Sequence, residues 1–485
     1  MTYDEALALY NAGPKVVTKI LCDFSKAIES QQEQIKALEI KVAKLSKNSS
    51  NSSKPPSSDD ITKPKGKKKK KGKRKIGGQL GHKRHERPLF SEEEIDKSHP
   101  YILTACPDCY AEVSIMDGKP RIIQQVELIE MPLIREEHRS YPVWCPECGK
   151  IHYMPFPPEV YKEGLFKERL TSLVAYMKNV LHASFSTIRK YIRDVLGEKV
   201  SRGYLRKVIE KVSLSLEAPY NELLDRLPLE TIVNVDETGH KENGDKFWTW
   251  VFRAELYVLF KIDKSRGSKV LIDVLGKEFN GVLGCDYFSA YRKYMKDFSV
   301  SIQFCIAHLI RDIRFLTTLT DAETKAYGQK LLSEVKNMFK VIHDRDGMTP
   351  RAFTTALENA KQKISKAALN DVPSKVNKKG KEEKREAQNM ANRFRRHGKA
   401  YFEFITTPGI GPTNNVAEQA IRFVVIDRHV TQGTRSVKGR QSNERLWTVI
   451  ATCSLQGRSA FNFILESVKA YFHDQPAPSL LFDSS

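Results

Sequence analysis

The stretch TIVNVDETGHKENGDKFWTWVFRAELYVLFKI, residues 231–262, constrains this chain most. It opens on an alternating β-branched run, Ile232, Val233 and Val235, which ends on two adjacent acids, Asp236 and Glu237. FWTWVF and ELYVLFKI follow the turn-like ENGDK, so three short strands joined by tight connections are predicted. A carboxylate at the end of a buried strand is costly unless a counter-charge meets it, and a metal cation supplies one. The competing reading is that both acids simply open a turn.

A second strand-like run, GVLGCDYFSAY (281–291), also carries an acid at its end, Asp286. A third acid, Glu418, lies in TNNVAEQAIRFVV, where Val416, Ala417, Ala420, Ile421 and Val424 recur on one face of a helix. Two strand-end Asp and one helical Glu have the chemistry to hold two divalent cations. Such ions, about 3.5–4 Å apart, clamp the attacking and leaving oxygens of a phosphodiester. Hard oxygen donors favour Mg2+ or Mn2+ over zinc. Glu418 has a rival role: with Asn415 as N-cap it sits at N3 and completes something like a capping box. Periodicity alone does not bring the three acids together.

The chain has 485 residues and a formal net charge of +21, which calls for roughly two to four domains and a polyanionic partner, nucleic acid before membrane. No apolar run approaches the ~18 residues of a membrane span, and the N-terminus has no signal pattern, so a soluble intracellular protein is expected. Of eight cysteines, four form two Cys-Pro-acid-Cys pairs, Cys106/Cys109 and Cys145/Cys148. Each pair is a knuckle, and two knuckles complete one structural Zn2+ site of four thiolates. RIIQQVELIEMPLIREEHRSYPVW between them alternates like a β-hairpin, giving a zinc ribbon. A redox pair or unligated thiols are the alternatives. His152 reads as a surface residue.

Residues 14–46 carry heptads: Leu21, Ile28, Ile35 and Val42 in one row, Val17, Phe24, Gln31, Leu38 and Leu45 in the other. This pattern favours a parallel two-stranded coiled coil, hence a homodimer, over a helix packed on its own chain. A Ser/Asn/Pro tract and then ten Lys or Arg among residues 63–75 follow, a disordered linker able to bind phosphate without sequence preference. Residues 160–225 read as basic amphipathic helices, where a helix-turn-helix and plain helical packing are equally open. SIQFCIAHLIRDIRFL reads as a strand running into a helix, with His308, Arg311 and Asp312 as its polar points. Residues 320–405 look like a helical insertion. Arg422, Arg428, Arg435 and Arg440 either line phosphates or form a solvated face.

In order along the chain, NSSKPPSSDD, the Lys-rich run, GGQLGHKRH, the paired CPxC knuckles, VDETG, CDYFSAY, CIAHLIRD and NNVAEQAIR resemble the transposases of the bacterial insertion sequence sixty-six family. The resemblance implies a multidomain α+β chain. It runs as a coiled coil (1–46), a linker (47–85), a zinc-binding domain (86–158), a helical, DNA-binding region (159–228) and a ribonuclease H-like α/β catalytic core. The core is split into 229–318 and 407–485 by a helical insertion (319–406). It further implies a DDE transposase with Asp236, Asp286 and Glu418 as catalytic, metal-holding acids, two Mg2+ or Mn2+ ions and one Zn2+. Its partners would be the element's terminal repeats, target DNA and accessory proteins of the same element, in a cytoplasmic, nucleoid-associated setting. Where the family shows Asp-Gly-Tyr and an Arg after the third acid, this chain has Tyr287-Phe288 and Gln419. The alternatives are a catalytically silent, transposase-derived DNA-binding protein and a ribonuclease H-like nuclease such as a junction resolvase.

Overall fold

The computed structural model describes residues 2–45, 89–100, 105, 107–110, 112, 122–126, 132–148, 150–370, 372–376, 382–383 and 385–481. The linker expected at 47–85 and Cys106 lie outside these residues. Among the described residues, no helix is long and apolar enough to cross a membrane.

Pro14–Leu45 is one helix, α1, of 32 residues, about 48 Å long at 1.5 Å per residue. Its heptad residues Leu21, Phe24, Ile28, Ile35 and Leu38 are all exposed among the described residues. The second cysteine knuckle sits on a hairpin, β1 (Pro142–Cys145) antiparallel to β2 (Lys150–Tyr153), with Cys145 opposite Lys150. An antiparallel bridge between Ala105 and Glu112 brackets the first knuckle. Of the hairpin expected between the knuckles, residues 122–126 and 132–141 carry no strand, and residues 127–131 lie outside the described residues. Ile122, Ile123, Val126 and Ile134 are exposed there, and among the described residues pairing wraps the two knuckles.

Helices α2 (Glu168–Asn179) and α3 (Arg202–Ser215) precede the central sheet. Ser201 caps α3 by accepting from the Tyr204 N–H. The sheet begins with an antiparallel meander, β3 (Ile232–Glu242), β4 (Asp245–Arg253) and β5 (Val258–Asp263). Asn243 and Gly244, at φ 50° and 94°, form the two-residue turn between the first two strands, the Asn-Gly signature of a twisted hairpin. Contrary to the expected end of the first strand, β3 continues through Asp236 and Glu237, because β4 pairs with it as far as the turn. The two acids therefore lie inside a strand and do not open a turn.

β6 (Val282–Cys285) pairs parallel with β3, and after α4 (Ser289–Phe298), β7 (Ser301–Phe304) pairs parallel with β6. The sheet order is β5-β4-β3-β6-β7. Helix α5 (Ile306–Leu316) follows. The expected helical segment then appears as Ala322–His343, Pro350–Ala368 and α6 (Glu386–His397). The chain closes with α7 (Asn415–Thr431), α8 (Val437–Leu455) and α9 (Ala460–Phe472). The result is a mixed α+β architecture with helices on both faces of the sheet. One face buries Val251, Phe260, Ala417, Ile421, Val424 and Trp447 together. The other joins Val233, Val235, Trp250 and Phe252 to residues of α2, α3, α4 and α9 in one continuous core.

Strand β5 is an edge, and α8 covers it. The Val258, Phe260 and Ile262 N–H groups donate to Thr452 Oγ1, Thr448 Oγ1 and Glu444 Oε1 at 3.1, 3.0 and 2.6 Å. Two residues of strand advance about 6.7 Å and four residues of helix about 6 Å, so every fourth residue of α8 meets every second residue of β5. An edge so covered is closed to pairing with another chain.

Candidate active site

Strand alternation puts Asn234, Asp236, Thr238 and His240 on the face that α7 covers. Asn234 Nδ2 donates to Asn414 Oδ1 at 2.8 Å, and Asn414 Nδ2 donates to the Val235 carbonyl at 2.8 Å. The Asn414 N–H donates to Cys305 Sγ at 3.2 Å. Asn414 is the N-cap of α7 and makes no side-chain capping bond. Glu418 is thus at N4, one residue further in than a capping box requires, and that role falls away. Of its expected apolar face, Val416 is exposed while Ala417, Ile421 and Val424 are buried. The asparagine clasp instead ties the start of α7 to β3 and to the start of α5, which presents Glu418 towards Asp236.

Gly284 makes the clasp possible: a Cβ there would lie 2.2 Å from Asn234 Nδ2 on the neighbouring strand. The parallel ladder ends with Asn234 opposite Gly284, so Asp236 and Asp286 each stand two residues beyond it, on strands about 4.8 Å apart. Burial first, and then the charges of Glu237, Asp286 and Glu418, raise the Asp236 carboxyl well above its ordinary pKa. Its Oδ1 accepts from the Glu237 N–H at 2.9 Å. Burial, followed by Glu237, pushes Asp286 up to about 7, against the Phe288 N–H, Arg266 and Arg393, which pull it down. Glu418 has Arg311 Nη2 at 3.6 Å and His308 Nδ1 at 3.5 Å, and its buried Oε1 has no hydrogen-bond partner.

This excess of buried carboxylate oxygen over cation fits a hard divalent ion. Among the described residues, the donor atoms of Cys305, His308 and Glu418 lie within 4.8 Å of one another; those of Asp236, Asp286 and Glu418 do not form such a set. Burial pushes Cys305 up to about 11, leaving a thiol that already accepts from Asn414. Burial, then Arg311, lowers His308 to about 4, which leaves a neutral imidazole.

Glu237 was legible only as the neighbour of Asp236. It faces the opposite side of β3, with 5 % of its surface exposed, and Arg266 donates to its Oε1 at 3.0 and 2.7 Å while Tyr291 donates to Oε2. Arg266 stacks 4.3 Å over Trp248 and 4.0 Å over Phe288. The available signal was its alternation with Val233 and Val235, which sends an acid into the core and demands a buried partner. Glu444, the other nearby acid, is committed to β5. Of the four arginines in the last segment, Arg428 bonds Thr238 and the Gly239 carbonyl and Arg440 lies 3.5 Å from Glu242; Arg422 and Arg435 are exposed.

In the cysteine module, Cys109 and Cys148 are exposed, and Cys148 Sγ lies 3.3 Å from His152 Nε2. Hydrogen bonds from Cys148, backbone first, lower the Cys145 pKa.

The model of the IS66 transposase family matches residues 163–442, which takes in the sheet, the insertion, and the positions of all three acids. The chain belongs to the IS66 transposase family. That membership supports a transposase role for the arrangement above. A family of unknown function, DUF6444, matches residues 9–88. A solved structure of the Mos1 transposase catalytic domain and Raltegravir with Mg is similar at 14% identity, over 33% of this chain and 94% of that one, with a TM-score of 0.14. So slight a likeness carries no argument. No curated protein matched the chain.

Proposed function

We propose that this IS66 family member is a DDE transposase that cleaves DNA at the ends of an insertion sequence and joins them to target DNA. The observation that carries this reading is the half-buried group of Asp236, Asp286 and Glu418, short of compensating cations, on adjoining strand and helix positions of a transposase family core. The five-stranded mixed sheet is read as a ribonuclease H-like core, with 319–406 inserted between its halves.

Asp236, Asp286 and Glu418 are the residues that would hold two Mg2+ or Mn2+ ions. When bound, such ions supply Lewis-acid stabilisation of the attacking and leaving oxygens of the phosphodiester. The asparagine clasp and Gly284 hold Asp236 and the start of α7 in fixed relation, so the carboxylates are preorganised. Arg311 and His308 beside Glu418 limit its rotamers. In the first step a water oxygen bonds to phosphorus as the P–O3′ bond breaks, freeing a 3′-hydroxyl. In the second, that hydroxyl oxygen bonds in line to a target phosphorus as the target's own P–O3′ bond breaks. The attacking hydroxyl gives up its proton and the departing target O3′ takes one up, without a covalent protein intermediate.

The remaining parts suit the same task. Exposed Arg189, Lys190, Arg193, Arg202, Arg206 and Lys207 give the helical region a basic surface. The α1 seam fits a second copy of this chain, which would bring two DNA ends together. Cys106, Cys109, Cys145 and Cys148 would hold one structural Zn2+.

Asp236→Asn, Asp286→Asn and Glu418→Gln each keep shape while removing the charge that holds a cation. Each is expected to lower cleavage and strand transfer by several orders of magnitude and to leave binding of an element end intact. Glu444→Gln, which keeps an acceptor for the Ile262 N–H, is expected to remain active. A dead Glu444→Gln alongside an active Glu418→Gln would remove Glu418 from the site. Cleavage without strand transfer would point to a nuclease instead.

A further inference from the structure

A cavity of about 530 Å³ opens beside the acid cluster, between α4, α5 and α6. Tyr287, the residue after Asp286, forms part of its wall, together with Arg292, Asp312, Asn389, Arg393 and Arg396. The arginines are held in an unusual way. The Arg393 guanidinium lies 3.7 Å over the Tyr287 ring and that of Arg292 lies 4.5 Å over the same ring. Arg393 Nη1 donates to Asp312 Oδ2 at 2.8 Å, and its Nε donates to the Tyr401 hydroxyl. Yet Arg393 Nη2 and Arg292 Nε are both buried without a hydrogen-bond partner among the described residues. A buried guanidinium N–H left unpaired costs free energy that an anion in reach would recover.

We propose that this cavity binds a backbone phosphate of the DNA strand whose neighbouring phosphodiester is presented to Asp236, Asp286 and Glu418. The inference rests on the transposase reading and adds a site for the strand beside the reacting bond. Charge favours it: three arginines face two acids in the lining, and Asp312 is already paired with Arg393. The planar guanidinium fork matches phosphate oxygens better than any neutral ligand. Size permits it, since the volume falls inside the range of about 300–1,000 Å³ that small-ligand sites occupy. A stacked base is disfavoured, because the Tyr287 ring already carries two guanidinium groups and packs edge-on against Phe304 at 5.0 Å. Position gives it a purpose. The wall is joined to Asp286 through one peptide bond, so a phosphate seated here fixes the strand relative to that carboxylate. The segment that brings Arg393 and Arg396 is the end of the insertion, which would otherwise have no part in the chemistry.

The test uses the full chain and duplexes ending in the inverted repeats that flank its gene, each duplex carrying one neutral methylphosphonate in place of a phosphate. Binding is measured without divalent ions for the wild type, Arg292→Gln and Arg396→Ala, all checked for unchanged melting. At one position other than the scissile phosphate, the wild type is expected to lose about 10- to 100-fold in affinity, the worth of one or two charge-assisted hydrogen bonds. Arg292→Gln should bind that duplex and the unmodified one alike, and Arg396→Ala, at the exposed rim, should show a reduced difference. If every methylphosphonate costs both variants as much as it costs the wild type, the cavity holds no phosphate. If the variants lose sensitivity to an abasic position instead, its occupant is a base and the proposal is wrong. Binding needs no chemistry, so this result stands apart from the acid cluster: a wild type that cleaves without the signature loses the cavity and keeps the transposase reading. A signature in a protein that never cleaves does the reverse.

Discussion

Thr448→Val on α8 tests the claim that this helix, and not a further strand, closes the β5 edge. Thr448 is fully buried and its Oγ1 accepts from the Phe260 N–H at 3.0 Å. Valine has nearly the same shape and a similar helix propensity, so the substitution removes an acceptor and little else. A buried N–H left without a partner costs about 1–3 kcal/mol. If β5 opens locally, that loss appears as roughly 5- to 150-fold faster amide exchange at Phe260. Hydrogen exchange on the intact chain, read by mass spectrometry over peptides spanning Val258–Asp263, measures it directly. Thr448→Ser keeps the oxygen and should stay near the wild type, while Thr452→Val should exceed Thr448→Val, because Thr452 also donates to the Val258 carbonyl at 3.1 Å. Unchanged protection across β5 in Thr448→Val would refute the matched helix-and-strand ladder. It would also weaken the reason for setting Glu444 aside as a structural acid.

Three further outcomes follow from the geometry. Asp286 titrates near 7 when folded and near the ordinary carboxylate value when unfolded, so the folded protein binds the extra proton. Without divalent ions, its stability should fall as pH rises from about 4 to 7 and level off above; the fall should be smaller in Asp286→Asn, and an identical pH profile for both proteins would count against the buried cluster. Native protein should carry one zinc per chain, which Cys145→Ser should release with local unfolding of the hairpin; metal analysis that finds no zinc would end that assignment. Removal of residues 1–46 should leave a chain that binds one DNA end without pairing two, and sedimentation showing a monomeric full-length protein with and without DNA would exclude the coiled coil.

Much of this protein is written in short-range pattern. Asn243-Gly244 specifies its turn because both positions need positive φ, and the 32-residue helix Pro14–Leu45 follows from a heptad run interrupted at Gln31. SIQFCIAHLIRDIRFL is a strand and a helix, as its two periods require. Local pattern could not decide where a strand ends, since β3 passes through Asp236 and Glu237 only because β4 pairs beyond them. Nor could it tell which side each acid faces with what partner. Glu237 is held by Arg266, 29 residues away, Glu444 by Ile262, 182 away, and Asn234 by Asn414, 180 away. These pairings depend on burial: a carboxylate or amide is forced to find a partner only once the sheet and helices have excluded water. The residue types for metal-dependent phosphodiester chemistry were therefore present in the sequence. Their placement belongs to the tertiary structure: only packing brings a strand residue and a helix residue 182 positions apart, Asp236 and Glu418, close enough for the charge of one to act on the other.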